Sequence, residues 1–267
     1  MSRLPGKVSV VMPAFNEAPH IERNLRETVD TLTALGYDFE VIVVDDGSGD
    51  ETGRVAGESL AQHFSNIHVL RYDRNEGKGN AVMRGTALAS GDYIVFLDAD
   101  MDLHPAQLPV FFEIMERENA DVVIGSKLHP DSHVNYPLSR RIATTGYYTL
   151  VRVLFGLPLR DTQTGLKLFK ARVLRRVFPK VLVKRFAADI EMLVVAHSLG
   201  YRIREAPVTL SFQRRFNRIR LRDIKDIAQD TLAIFYRLNI LRYYDSIDEE
   251  WPAPRQEIKV LTGAKQR

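Results

Sequence analysis

Short runs of Val, Ile and other apolar residues at 8–12, 39–44, 67–71 and 93–97 alternate with segments of helical periodicity at about 19–35, 51–64 and 78–89. Apolar runs of this length, separated by helical patterns, predict βαβ units and a mostly parallel sheet covered on both faces. Further along, the pattern predicts strands at 121–125 and 203–207, and helices at 139–157, 173–178, 187–199 and 223–244. In the last helix Ile224, Ile227, Ala228, Thr231, Leu232, Phe235 and Leu238 form one apolar stripe. Parallel sheets bind ligands beyond the carboxyl ends of their strands. Here those ends carry Pro13-Ala14-Phe15-Asn16-Glu17, Asp45-Asp46-Gly47-Ser48 and Asp98-Ala99-Asp100, three polar groups delivered to one edge.

Composition narrows the chemistry. The chain has 267 residues, 45% apolar and 27% charged, which fits a folded α/β protein and excludes disorder or fibre. With no cysteine there is no disulfide framework, thiolate metal site or sulfur nucleophile, so catalysis falls to oxygen and nitrogen groups. The opening segment reads as a first strand rather than a signal peptide. The stretch 142–159 is nearly uncharged, but Arg152, Gly156 and Pro158 make it a poor membrane span.

Charge is distributed unevenly. Residues 1–125 hold 10 Lys and Arg against 21 Asp and Glu, whereas residues 126–267 hold 27 against 13. The acidic half suits a bound cation and the basic half an anionic partner. Seven arginines and a single acid, Glu205, lie between 202 and 222. No nucleic-acid-binding module accompanies them.

Asp98 and Asp100 flank a small residue at a strand end, where both carboxylates can approach one hard divalent cation; Asp102 could add a third oxygen. Asp45 and Asp46 can accept hydrogen bonds from a base or ribose, while Ser48 and Asp50 suit helix capping. Asn75-Glu76-Gly77-Lys78-Gly79-Asn80 lacks the spacing of a P-loop or a dinucleotide fingerprint, yet Lys78 between glycines can meet a phosphate as a point charge. His129 and His133 have metal-like spacing, but Pro130 breaks the helix that would align them.

Taken together, PAFNE at 13–17, VVDDGSGDET at 43–52, NEGKGNAV at 75–82, GDYIVFLDAD at 91–100, DTQTGLKLF at 161–169, DIEML at 189–193 and EAPV at 205–208 resemble the inverting family-2 glycosyltransferases of the GT-A fold. More narrowly they resemble the polyprenyl-phosphate hexose synthase branch, the dolichyl-phosphate mannose and glucose synthases. The resemblance runs over 7–244. It implies that Pro13, Phe15, Glu17, Asp45 and Asp46 line the nucleotide base, Lys78 lies near the nucleotide or its phosphates, Asp98 contacts ribose or sugar, and Asp100 binds the metal; mannose synthase relatives often carry glutamine where Asp102 stands. Asp189 stands where relatives place, or nearly place, a general base. The basic loop with Arg214, Arg215, Arg218 and Arg220 is the candidate for the acceptor phosphate, although it lacks the Gly-x-Ser-Lys element of mannose synthases. Thr164 stands where glucose synthases carry a cysteine.

The expected activity is inverting transfer of a hexose from UDP-glucose or GDP-mannose to a polyprenyl phosphate, with Mg²⁺ or Mn²⁺. The alternatives are a family-2 transferase with a soluble sugar or polysaccharide acceptor, and a non-catalytic nucleotide-sugar-binding subunit. The expected organisation is a GT-A domain over 1–222, with a nucleotide-sugar half to about 125 and an acceptor half beyond. An amphipathic interfacial helix over 223–244 and a mobile tail over 245–267 follow. Such a protein is expected to sit peripherally on the cytoplasmic face of an anionic membrane, without spanning it.

Overall fold

The computed structural model describes residues 4–58, 64–134, 138–184, 187–210, 221–247 and 251. The arginine loop at 214–220 and residues 252–267 lie outside them.

Among the described residues seven strands form one sheet, in the order β3-β2-β1-β4-β6-β5-β7. They are β1 Lys7–Ala14, β2 Asp38–Asp45, β3 Ile67–Arg71, β4 Tyr93–Phe96, β5 Val122–Ser126, β6 Lys167–Lys170 and β7 Ile203–Pro207. Strands β1 to β4 pair in parallel, as do β5 and β7, while β6 runs antiparallel to both β4 and β5. The helices are α1 Ile21–Ala34, α2 Thr52–Ala56, α3 Lys78–Leu88, α4 Leu108–Arg117, α5 Leu138–Phe155, α6 Ala171–Val177, α7 Ala188–Ser198, α8 Leu221–Asn239 and α9 Tyr243–Ser246.

Side chains alternate across each strand, so the sheet feeds two cores. Val8, Val10 and Met12 of β1 join Val41 and Val43 of β2 under α1 and α4. Val11, Ile42 and Val44 face the other way, into a core shared with α3, α5, α6 and α7. This double burial explains the unbroken apolar run Val41–Val44 within β2. The one polar residue buried inside β1, Ser9, is satisfied by Glu40 at 2.5 Å and by the Gly91 amide at 2.8 Å.

The C-terminal helix departs from expectation. It stops at Asn239, Arg242 takes a left-handed conformation (φ 47°), and α9 begins at Tyr243. The apolar stripe is used in part for packing: Thr231 is buried and bonded to Tyr147 of α5 at 3.1 Å, the rings of Phe155 and Phe235 lie 6.4 Å apart, and Ile234, outside the stripe, is buried as well. Tyr244, the last residue of the expected interfacial helix, is 1% exposed and bonded to Glu191. The expected mobile tail starts as α9, and Trp251 packs its ring 5.6 Å from Phe178 while its amide donates to Arg175. Among the described residues no helix is long and apolar enough to cross a membrane.

Candidate active site

The first two strand-end loops are laced together rather than merely adjacent. Asn16, in the left-handed region (φ 57°), takes the Gly49 amide on Oδ1 at 2.9 Å, while its own amide donates to Ser48 Oγ at 2.9 Å. The Glu17 amide donates to Thr52 Oγ1 at 2.7 Å and the Ala18 amide to Asp50 Oδ2 at 3.2 Å. Ser48 is therefore a loop staple instead of a helix cap, and Asp50 staples while also accepting the Thr52 amide.

Between these loops lies a cavity of about 550 Å³, lined by Pro13, Phe15, Glu17, Asp46, Lys78, Asp98 and Asp100 among others. That volume falls in the range of small-molecule sites. Phe15 stands 47% exposed at the wall, where its ring is free to stack on a planar ligand. Asp46 accepts the amides of Glu76 (2.8 Å) and Gly77 (3.0 Å), which holds the loop before α3 against the end of β2. Burial, and the charges of Glu76 and Asp45, still push its carboxyl up. Asp45 does not reach the cavity. It is wholly buried, accepts the Ser48 amide at 3.0 Å and pairs with Arg71 at 3.5 Å, so it shapes the turn from behind.

Lys78 meets both oxygens of Asp98, at 2.7 and 2.8 Å. Burial works against its ammonium, but Asp98, Asp189 and Asp100 outweigh that and raise its pKa. Among the described residues no cation pairs with Asp100: burial first, then the charges of Asp98 and Asp102, push its carboxyl up to about 7. Asp102 is not on the cavity wall, and its amide braces Asp100 Oδ1 at 3.1 Å. Asn24 of α1 fixes the same turn from below by donating to the Ala99 carbonyl.

Behind Lys78 stands a second row of charge. Asp189, in the first turn of α7, is paired at 2.9 Å with Lys167 of β6, which is 1% exposed. Burial would raise the Asp189 carboxyl, but Lys167, Lys78 and Lys127 overcome it and hold the pKa below the usual carboxylate range. Lys127 pairs at 3.4 Å with Asp161, which also accepts Thr164 Oγ1 at 2.7 Å. Lys167, Lys127 and Asp161 were not singled out from sequence. The available signal was Lys167 inside an apolar strand run, since a buried ammonium requires an acidic partner.

Among the described residues no three His, Asp or Glu side chains form a ready-made metal cage, and His129 and His133 are not brought to one. His133 pairs along the backbone with Thr209 and His129 Nδ1 accepts the Asp131 amide. The carboxylate pair at 98 and 100 nevertheless fits a cation of the Mg²⁺ or Mn²⁺ kind, because such ions take one or two carboxylates and fill their remaining positions with water and phosphate oxygens. The raised Asp100 carboxyl marks negative potential that a divalent ion would relieve.

The backbone is similar to that of glucosyl-3-phosphoglycerate synthase from Mycobacterium tuberculosis, solved in complex with Mn²⁺, UDP and phosphoglyceric acid: the TM-score is 0.63 at 22% identity, over 87% of this chain and 78% of that one. The fold is thus the GT-A architecture expected from the sequence. The profile described as Glycosyl transferase family 2 matches residues 9–178, and the chain belongs to that family. It is 34% identical over 236 residues to Glycosyltransferase AglD of Haloferax volcanii, covering 88% of this chain and 38% of AglD. It is 32% identical over 213 residues to the Dolichyl-phosphate beta-glucosyltransferase of Dictyostelium discoideum, covering 75% of this chain and 65% of that protein. The chain spans less than two thirds of the length of either relative.

Proposed function

We propose that the protein transfers a hexose from a nucleoside-diphosphate sugar to a polyprenyl monophosphate, with inversion at the anomeric carbon. The observation that carries this reading is the Lys167–Asp189 pair beside the cavity. A hydroxyl acceptor needs a general base with a pKa near the working pH, and a carboxylate held low by a buried lysine is a weak one. A phosphate monoester is largely dianionic at neutral pH and needs none. Similarity to the Dolichyl-phosphate beta-glucosyltransferase supports the same acceptor, and favours UDP-glucose over GDP-mannose.

In this mechanism Phe15 and Glu17 receive the base, and Lys78 faces the diphosphate from the Asp98 side of the cavity. Asp100, with Asp102 bracing it, would hold Mg²⁺ or Mn²⁺, whose chemistry there is to neutralise charge on the departing diphosphate. The acceptor phosphate oxygen forms its bond to the anomeric carbon as the bond from that carbon to the diphosphate oxygen breaks. Arg214, Arg215, Arg218 and Arg220 supply positive charge for the acceptor phosphate in this proposal. Asp189 then orients Lys167 and the wall of the site instead of removing a proton. A lipid acceptor fits work at a membrane surface, and in this proposal the protein sits peripherally at the cytoplasmic face.

The test is direct. Radiolabelled glucose from UDP-glucose should move into an organic-extractable, mild-acid-labile product when polyprenyl phosphate is supplied. Label appearing only in water-soluble glycosides would favour the hydroxyl-acceptor reading.

A further inference from the structure

Asp189 and Glu191 lie two residues apart in α7, about 200° around the helix, so they serve opposite sides. Asp189 faces Lys167; Glu191 is fully buried and faces α8 and α9. Four donors converge on this one carboxylate. Oε2 accepts the amides of Leu182 (2.9 Å) and Val183 (2.7 Å). Oε1 accepts Arg237 Nη2 (2.8 Å) and Tyr244 Oη (2.6 Å), and Arg237 Nε also donates to Tyr244 Oη at 3.1 Å.

The two captured amides belong to no helix or strand, and they precede a contact with the first turn of α3. The Lys184 carbonyl accepts the Asn80 amide at 3.2 Å. A Cβ on Gly79 would stand 2.8 Å from that carbonyl and 2.5 Å from Ala188 Cβ, so α3 begins pressed against this segment and the first turn of α7. The residue before Gly79 is Lys78, whose ammonium holds Asp98. A purely packing role would be filled at lower cost by an apolar side chain.

We propose that Glu191 is a positioning residue: it fixes residues 182–184 against Gly79 and Asn80 from the side of α8 and α9, and so sets where Lys78 presents its ammonium in the cavity. The functional part of this proposal rests on the cavity being the donor site. Glu191→Gln keeps the volume but sets an amide N–H against donors that now meet an oxygen. Tyr244→Phe and Arg237→Met each remove one donor from the far side of the knot.

Two measurements decide it, both made well below the melting transition. Hydrogen exchange of the ligand-free protein should quicken in the segment 78–84 for Glu191→Gln, and to a smaller degree for Tyr244→Phe. Calorimetric titration with UDP or GDP, whichever the wild type binds in the presence of Mn²⁺, should show about tenfold weaker binding for Glu191→Gln, and Tyr244→Phe should add nothing further in that background. Lower melting temperature with wild-type exchange at 78–84 and wild-type nucleotide affinity would overturn the proposal. If Glu191→Gln fails to fold, unchanged exchange and affinity in Tyr244→Phe and Arg237→Met would do the same. A wild type that binds neither nucleotide counts against the donor reading, and the exchange data still judge the coupling.

Discussion

Asp98 reaches the cavity because residue 165 has no side chain: a Cβ there would stand 2.0 Å from Asp98 Oδ2. Gly165→Ala must therefore displace the carboxylate that holds Lys78, and turnover should fall by about a hundredfold, as expected for a misplacement on the order of 1 Å. Calorimetry on the same variant should show a largely retained melting transition; full activity would mean that Asp98 has no part in the reaction. Asp100 and Asp189 separate by role. Asp100→Ala should lower kcat by about a thousandfold at saturating donor. Asp189→Asn should retain more activity on polyprenyl phosphate, because the ionised acceptor needs no base. The reverse ranking, with both variants folded, would restore Asp189 as the base for a hydroxyl acceptor. Lys167→Met leaves Asp189, 13% exposed, without its closest partner and should cost about 3 kcal/mol of stability, read from urea midpoints.

At the level of elements, one acid joins three chain segments at the edge where the sheet changes direction. Asp121, just before β5, accepts from Arg172 at 2.7 Å, from Lys170 at 3.2 Å and from the Arg202 amide at 3.1 Å. Burial would raise its carboxyl, but hydrogen bonds from Arg172, the Arg202 amide and Lys170 outweigh it and the pKa is lowered. A carboxyl whose pKa falls on folding stabilises the native state above its unfolded value, about 3.9, and that contribution is lost as pH drops through the folded value. Asp121→Asn should accordingly be less stable than wild type at neutral pH, and the gap in denaturant midpoint should close below about pH 4. An equal gap at all pH values would assign the loss to geometry alone. This edge was also the part least legible in sequence. Strands β1 to β4 announce themselves as apolar runs between helices, and so do the acidic groups at their ends. Strand β6 is four residues with lysines at both ends, and its burial depends on antiparallel partners that no local pattern reveals. Helix α4, an amphipathic segment of ten residues, is absent from the elements the pattern predicts. Periodicity carried the last helix to Tyr244 because a left-handed Arg242 has no signature comparable to a glycine. The same reasoning covers the site: strand-end carboxylates follow from topology, whereas Lys167, Gly165 and Glu191 act through partners distant in the chain.

Across the whole molecule, apolar exposure is concentrated where α5 and α8 meet. Leu150 and Val153 of α5 are 47% and 77% exposed, Leu232 and Tyr236 of α8 are 60% and 51%, and Ile240 and Leu241 follow at 63% and 54%. The two helices are joined by the Tyr147–Thr231 hydrogen bond and the Phe155–Phe235 ring contact, so these residues ride on one seat rather than on a free arm. The Glu191 knot anchors the far end of that seat to α7. An apolar face next in sequence to the arginine-rich segment at 214–222 is the combination that favours an anionic lipid surface, where each nearby cation contributes on the order of 1 kcal/mol. Vesicle sedimentation should show binding that rises with anionic lipid and falls with salt. Changing Arg214, Arg215, Arg218 and Arg220 to Ser should remove the salt-sensitive part, while Leu232→Ser with Ile240→Ser should weaken binding even at low salt, because it subtracts buried apolar area. Sedimentation equilibrium on the same proteins distinguishes the other occupant of such a face. A dimer in the absence of lipid that dissociates on Leu232→Ser, together with no vesicle binding at low salt, would assign the patch to a second copy of the chain and leave the membrane placement without support.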